Sequence, residues 1–151
     1  MTNNLKKRRS IGKFLSIARR AHAKLLDKEL RELHLSHAQI SLLMALYRFE
    51  GIYQQELCRM FNINKAAVAR EIKHLQNHGY IIKKKDPEDK RKRLIYLADK
   101  AKNNKTRILS IMDKVEARVR SNLTENEVDQ FLHLIKKICV NLNAKWITRE
   151  N

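Results

Sequence analysis

Apolar residues recur every three or four positions over most of the chain, and one stretch departs from that period. Ile11, Phe14, Leu15, Ala18, Leu25 and Leu26 predict a long amphipathic helix over 11–33. Ser36 followed by Gln39 reads as a capping box, in which hydroxyl and amide each satisfy a free backbone N–H. It opens a helix with Ile40, Leu43, Met44 and Tyr47 on one face, ending near Gly51. A short helix is expected over 54–61, then a tight turn at Asn62-Ile63-Asn64. Asn64 would cap the next helix, Lys65 to His78. Gly79 stands where a left-handed residue ends a helix.

The period then changes. Tyr80 to Lys85 is β-prone, Asp86-Pro87-Glu88-Asp89 is a turn cluster, and Arg93-Leu94-Ile95-Tyr96-Leu97 is a second strand. Residues 80–97 therefore predict a β-hairpin with a charged tip. Helical spacing returns over 99–120 with Ile108, Ile111, Met112, Val115 and Val119. Thr124 and Glu127 form a second capping box for a last helix carrying Val128, Phe131, Leu132, Ile135, Ile138, Leu142 and Trp146. The expected fold is mainly α with a small β-hairpin wing, a winged helix-turn-helix between flanking helices. Residues 1–35, 36–98 and 99–151 are its expected divisions: N-terminal helix, winged module and C-terminal helices.

Charge gives this order a purpose. Among 151 residues, 33 Lys and Arg against 16 Asp and Glu leave +17, which points to a polyanionic partner. The excess is clustered, with +8 over 1–24, +6 over 64–93 and +4 over 99–122. A hydrophobic content of 43% excludes a disordered basic tail. Three Gly and one Pro are too few turn signals for a many-stranded barrel. There is no run long enough to span a membrane and no signal-peptide pattern, so a cytoplasmic location is expected.

Helix, short helix, tight turn, helix and hairpin is the order of a winged helix-turn-helix. Its second helix must bury one side and offer the other to a major groove. Over 65–78, Val68, Ile72 and Leu75 form the buried stripe, and Lys65, Ala66, Ala69, Arg70 and Lys73 lie opposite. Small residues at 66 and 69 let the backbone approach base edges, and Arg70 can make a bidentate contact to guanine. A solvated amphipathic helix would show the same stripe; the adjoining turn and hairpin favour the reading helix. At the hairpin tip, Lys90, Arg91 and Arg93 suit a narrow minor groove. Asp89, two residues before Arg91, is placed to hold that guanidinium in one direction. Gln54, opening the short helix, is the expected phosphate contact.

From Leu35 through Lys102 the chain resembles the MarR family of bacterial transcription regulators. The resemblance rests on Leu35-Ser36-His37-Ala38-Gln39, Gln54-Gln55-Glu56-Leu57, Asn64-Lys65-Ala66-Ala67-Val68-Ala69-Arg70 and Asp86-Pro87-Glu88-Asp89-Lys90-Arg91. Leu123-Thr124-Glu125-Asn126-Glu127 adds the usual start of the last helix. It implies a homodimer with interlocked terminal helices on a palindromic operator, its half-sites about 10 bp apart. It also implies Arg91 in the minor groove with Asp89 as orienter, and the 65–73 face in the major groove. The terminal helices, each with an apolar stripe that a winged module cannot cover alone, agree independently.

Two departures stand out. Where the family has Leu-Thr and then a glycine three residues beyond the threonine, this chain has Leu97-Ala98-Asp99-Lys100-Ala101, so Asp99 is expected to take over the cap. Alanines at 66, 67 and 69 replace the family's frequent hydroxyl residues, favouring methyl contacts.

Many relatives release DNA when they sense a ligand, thiol or metal. Residues 1–33 lack the first-helix cysteine of redox sensors, and Cys58 and Cys139 read as buried packing residues. His22, His34 and His37 fall near one junction, but 99–120 offers no histidine to complete a zinc site, so no metal or other cofactor is expected. A small anionic or aromatic ligand between dimer helices and winged module is the open possibility. No catalytic motif is present. The expected function is a dimeric, sequence-specific DNA-binding regulator, of repressor type. The competing class is a sequence-independent basic nucleic-acid binder, which would not need a capped helix followed by a wing and would more often carry stacking aromatics.

Overall fold

In the computed structural model, residues 10–144 are described. Helix α1 (Ile11–Leu30) opens at Ser10, whose Oγ accepts the Lys13 N–H at 3.2 Å. It stops three residues before the predicted end. A single tightened turn, Arg31–Leu33, carries the chain to His34 in the left-handed region at φ 55°. Helix α2 (His37–Arg48) starts at the expected box, with the Ser36 N–H donating to Gln39 Oε1 at 2.8 Å. Ile40 and Leu43 are sealed in the core, joined by Leu42 and Leu46, while Met44 and Tyr47 pack half-buried against it.

Gly51 then adopts φ 75°, and a Cβ there would lie 3.1 Å from the Tyr96 ring, so both conformation and space call for glycine. Its N–H donates to Ile95 O at 2.9 Å and begins β1 (Ile52–Tyr53), a strand too short for its alternation to be seen in sequence. Helices α3 (Gln54–Phe61) and α4 (Lys65–Asn77) follow, and Gly79 at φ 75° turns the chain into β2 (Ile81–Lys85). β2 pairs antiparallel with β3 (Arg93–Leu97), from Ile81 opposite Leu97 to Lys85 opposite Arg93. β1 pairs with the other edge of β3, Ile52 opposite Ile95, giving the order β1-β3-β2. The expected hairpin is thus two strands of a three-stranded sheet.

The predicted helix over 99–120 is broken. Asn104 ends α5 (Asp99–Asn103) and starts α6 (Lys105–Arg120), and its side-chain amide donates to Lys100 O at 2.9 Å. Ala98 is the N-cap and makes no side-chain cap bond, so Asp99 is not the cap expected of it. It lies one residue further in, in the first turn, where a carboxylate still meets the positive helix end. Ala101 is fully buried, and its carbonyl accepts the Tyr47 hydroxyl at 2.6 Å. Helix α7 (Glu125–Asn141) begins at the expected Thr124–Glu127 box. Trp146 and the basic residues before Ser10 lie outside the described residues.

One core runs from Leu26 to Val115 through the winged module. Tyr80 is completely buried at its centre, and its hydroxyl donates to Leu33 O at 2.7 Å, fastening the start of the wing to the end of the first helix. Arg107–Glu32 and Lys114–Glu29, each at 2.6 Å, tie α6 to the first helical segment. Among the described residues no helix is long and apolar enough to cross a membrane.

Candidate nucleic-acid interface

The helix-turn-helix is built by local capping. The Glu56 carboxylate accepts the Tyr53 N–H at 2.6 Å at the start of α3. Asn62 turns left-handed at φ 50°, and the Ile63 N–H returns to Cys58 O at 3.1 Å. Asn64 Oδ1 then accepts the Ala67 N–H at 2.8 Å, the N-cap expected from sequence. Along α4, Val68, Ile72 and Leu75 are buried, while Lys65, Ala66, Ala69, Arg70 and Lys73 are all exposed. Gln54 is the half-exposed first residue of α3.

Residues 86–92 form the wing tip, closed by Asp86 N–H to Lys92 O at 3.2 Å and Lys92 N–H to Asp89 O at 2.9 Å. Lys90, Arg91 and Arg93 are exposed. Asp89 is engaged differently from expectation. Its Oδ1 accepts the backbone N–H of Arg91 at 3.1 Å and its Oδ2 faces Lys92 Nζ at 3.5 Å. It therefore fixes the backbone that carries Arg91 and does not grip the guanidinium. A carboxylate two residues upstream reaches an amide more easily than the end of a long side chain.

The root of the wing holds two residues whose partnership the sequence concealed. Asp86 is only 5% exposed; its carboxylate accepts the Tyr53 hydroxyl and, at 2.9 Å, the Glu88 N–H. The Tyr53 hydrogen bond, then the Glu88 backbone bond, hold the Asp86 carboxyl below its ordinary range. The same bond to Asp86, with smaller contributions from burial and nearby carboxylates, pushes the Tyr53 phenol up to about 12. The wing is thus rooted on the residue that precedes α3. Asp86 could be suspected from the turn cluster, but its partner lies 33 positions away and only the sheet brings them together.

Two of the three histidines considered for a metal have other partners. His37 Nδ1 pairs with Asp27 at 2.9 Å, and His34 stacks on His78 with ring centres 5.6 Å apart. Among the described residues no three His, Cys, Asp or Glu side chains are grouped to hold a metal. Cys58 packs half-buried against the core, and Cys139 is half-buried on α7. Between the first helix, α2 and α6 lies an apolar cavity of about 360 Å³, lined by Leu26, Ile40, Met44, Phe61 and Met112 with His22 and Arg48.

Residues 35–92, from the end of the first helical segment to the wing tip, match the model of the MarR family. The whole described fold matches as well. The crystal structure of MarR superposes with a TM-score of 0.78 at 26% identity, covering 90% of this chain and 92% of that one. Residues 35–92 carry a MarR-family winged module. A MarR transcriptional regulator from Methanosarcina mazei Go1 gives a TM-score of 0.77 at 25% identity, over 87% of this chain and 97% of the other. The HTH-type transcriptional regulator YdgJ of Bacillus subtilis (strain 168) is 26% identical over 109 residues, 72% of this chain and 66% of that protein. These likenesses give family-level support for a DNA-binding transcriptional regulator, and they fit a MarR-type module in which the capping bonds of α3 and α4 set out one exposed, partly basic helix face.

Proposed function

We propose that the chain acts as a homodimer that binds a palindromic DNA operator and represses transcription from it. The observation that carries this reading is α4, which buries Val68, Ile72 and Leu75 while leaving Lys65, Ala66, Ala69, Arg70 and Lys73 to solvent. Two such helices, one per subunit, would enter successive major grooves, with Arg91 and its neighbours Lys90 and Arg93 reaching the flanking minor grooves. Gln54 contacts phosphate, and Asp89 orients Arg91 through its backbone. The exposed apolar faces support the dimer: Phe14 on α1 is 65% exposed and Phe131 on α7 is 58% exposed, both beside an open apolar groove. A small aromatic or anionic effector that loosens binding would occupy the cavity lined by His22 and Arg48, whose polar tips suit a carboxylate or phenol.

The test is a salt titration of affinity for a duplex enriched from a random-sequence library and for its scrambled version. Sequence-specific binding predicts a higher affinity for the enriched duplex at every salt concentration, with both affinities falling as salt rises. Equal affinities throughout would instead identify a sequence-independent nucleic-acid binder. Benzoate serves as the effector probe, expected to weaken binding to the enriched duplex by way of the cavity.

A further inference from the structure

Arg70 is 76% exposed, yet it is held. Its Nε–H donates to Glu71 Oε1 at 2.9 Å, and the Glu71 side chain is only 14% exposed. Successive residues on a helix do not face each other, so this pair forms only because the carboxylate is fixed from its other side. The fixing group belongs to α2. Gln39, itself buried, donates its Nε2–H to Glu71 Oε2 and accepts the Ser36 N–H on Oε1 at 2.8 Å. A continuous chain of hydrogen bonds therefore runs from the N-cap of α2, through a buried amide and a half-buried carboxylate, to an exposed arginine of α4.

We propose that Glu71, anchored through Gln39 to the start of α2, is a specificity-determining positioning residue: it sets the direction from which Arg70 addresses a guanine. This rests on the base-reading role given to Arg70 above. With Nε occupied, the two terminal nitrogens remain, and their parallel N–H bonds are the fork that matches O6 and N7 of guanine. An arginine already held at Nε gives up less side-chain freedom when it meets a base than a free one does. The carboxylate has a second consequence. The Glu71 carboxylate, 14% exposed, lies beside the face offered to phosphate, so its negative charge opposes indiscriminate binding while its hold on Arg70 sharpens selective binding. A residue that only stapled α4 to α2 would not act on the two kinds of duplex in opposite directions.

The experiment measures affinity of the full-length protein for the enriched duplex and its scrambled version by fluorescence anisotropy. The variants are Arg70→Ala, Glu71→Ala, Glu71→Gln and the Arg70→Ala, Glu71→Ala double. Arg70→Ala is expected to lower the ratio of specific to scrambled affinity about tenfold or more. Glu71→Ala is expected to lower it about threefold to tenfold while affinity for the scrambled duplex holds or rises. In the ratio of specific to scrambled affinity, the double variant should match Arg70→Ala alone. Glu71→Gln keeps an oxygen for the Arg70 Nε–H and should restore part of the ratio, which also guards against a loss of folding in Glu71→Ala. If Arg70→Ala lowers the ratio but Glu71→Ala leaves it unchanged, or if the two losses multiply in the double variant, the positioning role is overturned. If Arg70→Ala itself leaves the ratio unchanged, the base-reading role falls first and takes the positioning role with it.

Discussion

Leu43, Leu57, Ile72, Leu75 and Ile95 are sealed inside the winged module, whereas Phe14 on α1 and Phe131, Leu134 and Val140 on α7 face solvent. The two regions have similar helical periodicity, so the contrast is not one of composition. It is one of partners. Burying each such side chain stabilises by about 1.5–3 kcal/mol, and the winged module obtains that within a single chain. The outer helices have the same apolar stripe, but only part of it, Leu26 and Leu30 on α1 and Ile108 and Val115 on α6, is covered by the described residues. The proposed dimer would cover the rest.

The contrast can be broken most directly at the groove between α1 and α7. Replacing Phe14 and Phe131 together by Glu should convert the dimer to a monomer, read as a halved mass in light scattering. Losing the second reading head should weaken operator binding by about 10²–10⁴-fold. An unchanged mass would show that these faces are not the dimer surface. Next in size is Leu75→Ala in that monomeric background, expected to cost about 2–5 kcal/mol in urea unfolding. Leu134→Ala in the same background should cost little, because its side chain has no cavity to leave; equal losses would erase the distinction between the regions. Removing the cap of α7 by Thr124→Ala should cost about 0.5–2 kcal/mol, seen as a lower thermal midpoint.

The smallest effect is expected at the wing root. The depressed Asp86 carboxyl stabilises the folded state above its ordinary value of 3.8, and this is lost as pH falls through the folded value. The raised Tyr53 phenol contributes fully below its ordinary value of 10.0, and this is lost as pH climbs through about 12. Between those limits the wing root is held. Tyr53→Phe should therefore be slightly less stable than wild type at neutral pH, with the gap closing in acid as Asp86 takes up a proton. A gap that persists unchanged into strong acid would mean that the hydroxyl contributes independently of the charge on Asp86.

Much of this architecture could be read from local signals. Ser36 with Gln39 and Thr124 with Glu127 mark helix starts because a cap is a contact three residues long. Asn64 and Gly79 are equally local. The failures share a cause. β1 is two residues long and exists only because β3 lies beside it. The break at Asn104 interrupts a good helical sequence, and the last helix ends at Asn141, short of its predicted extent. The exposed face of α4 could be read because burial of Val68, Ile72 and Leu75 assigns the opposite side to solvent. The bonds of Glu71 to Gln39 and of Asp86 to Tyr53 span 32 and 33 positions, and no spacing rule encodes them.

The bond from the Tyr80 hydroxyl to the Leu33 carbonyl has a mechanical consequence. Its ring fills the centre of the core and its backbone leads straight into β2, so the exit of the first helix and the base of the wing form one lever. Tilting the outer helices against the module must either carry the wing along or leave a buried hydroxyl and carbonyl unpaired, a loss of about 1–3 kcal/mol. In a two-fold assembly, the angle at which the terminal helices cross would therefore set how far apart the two wings stand.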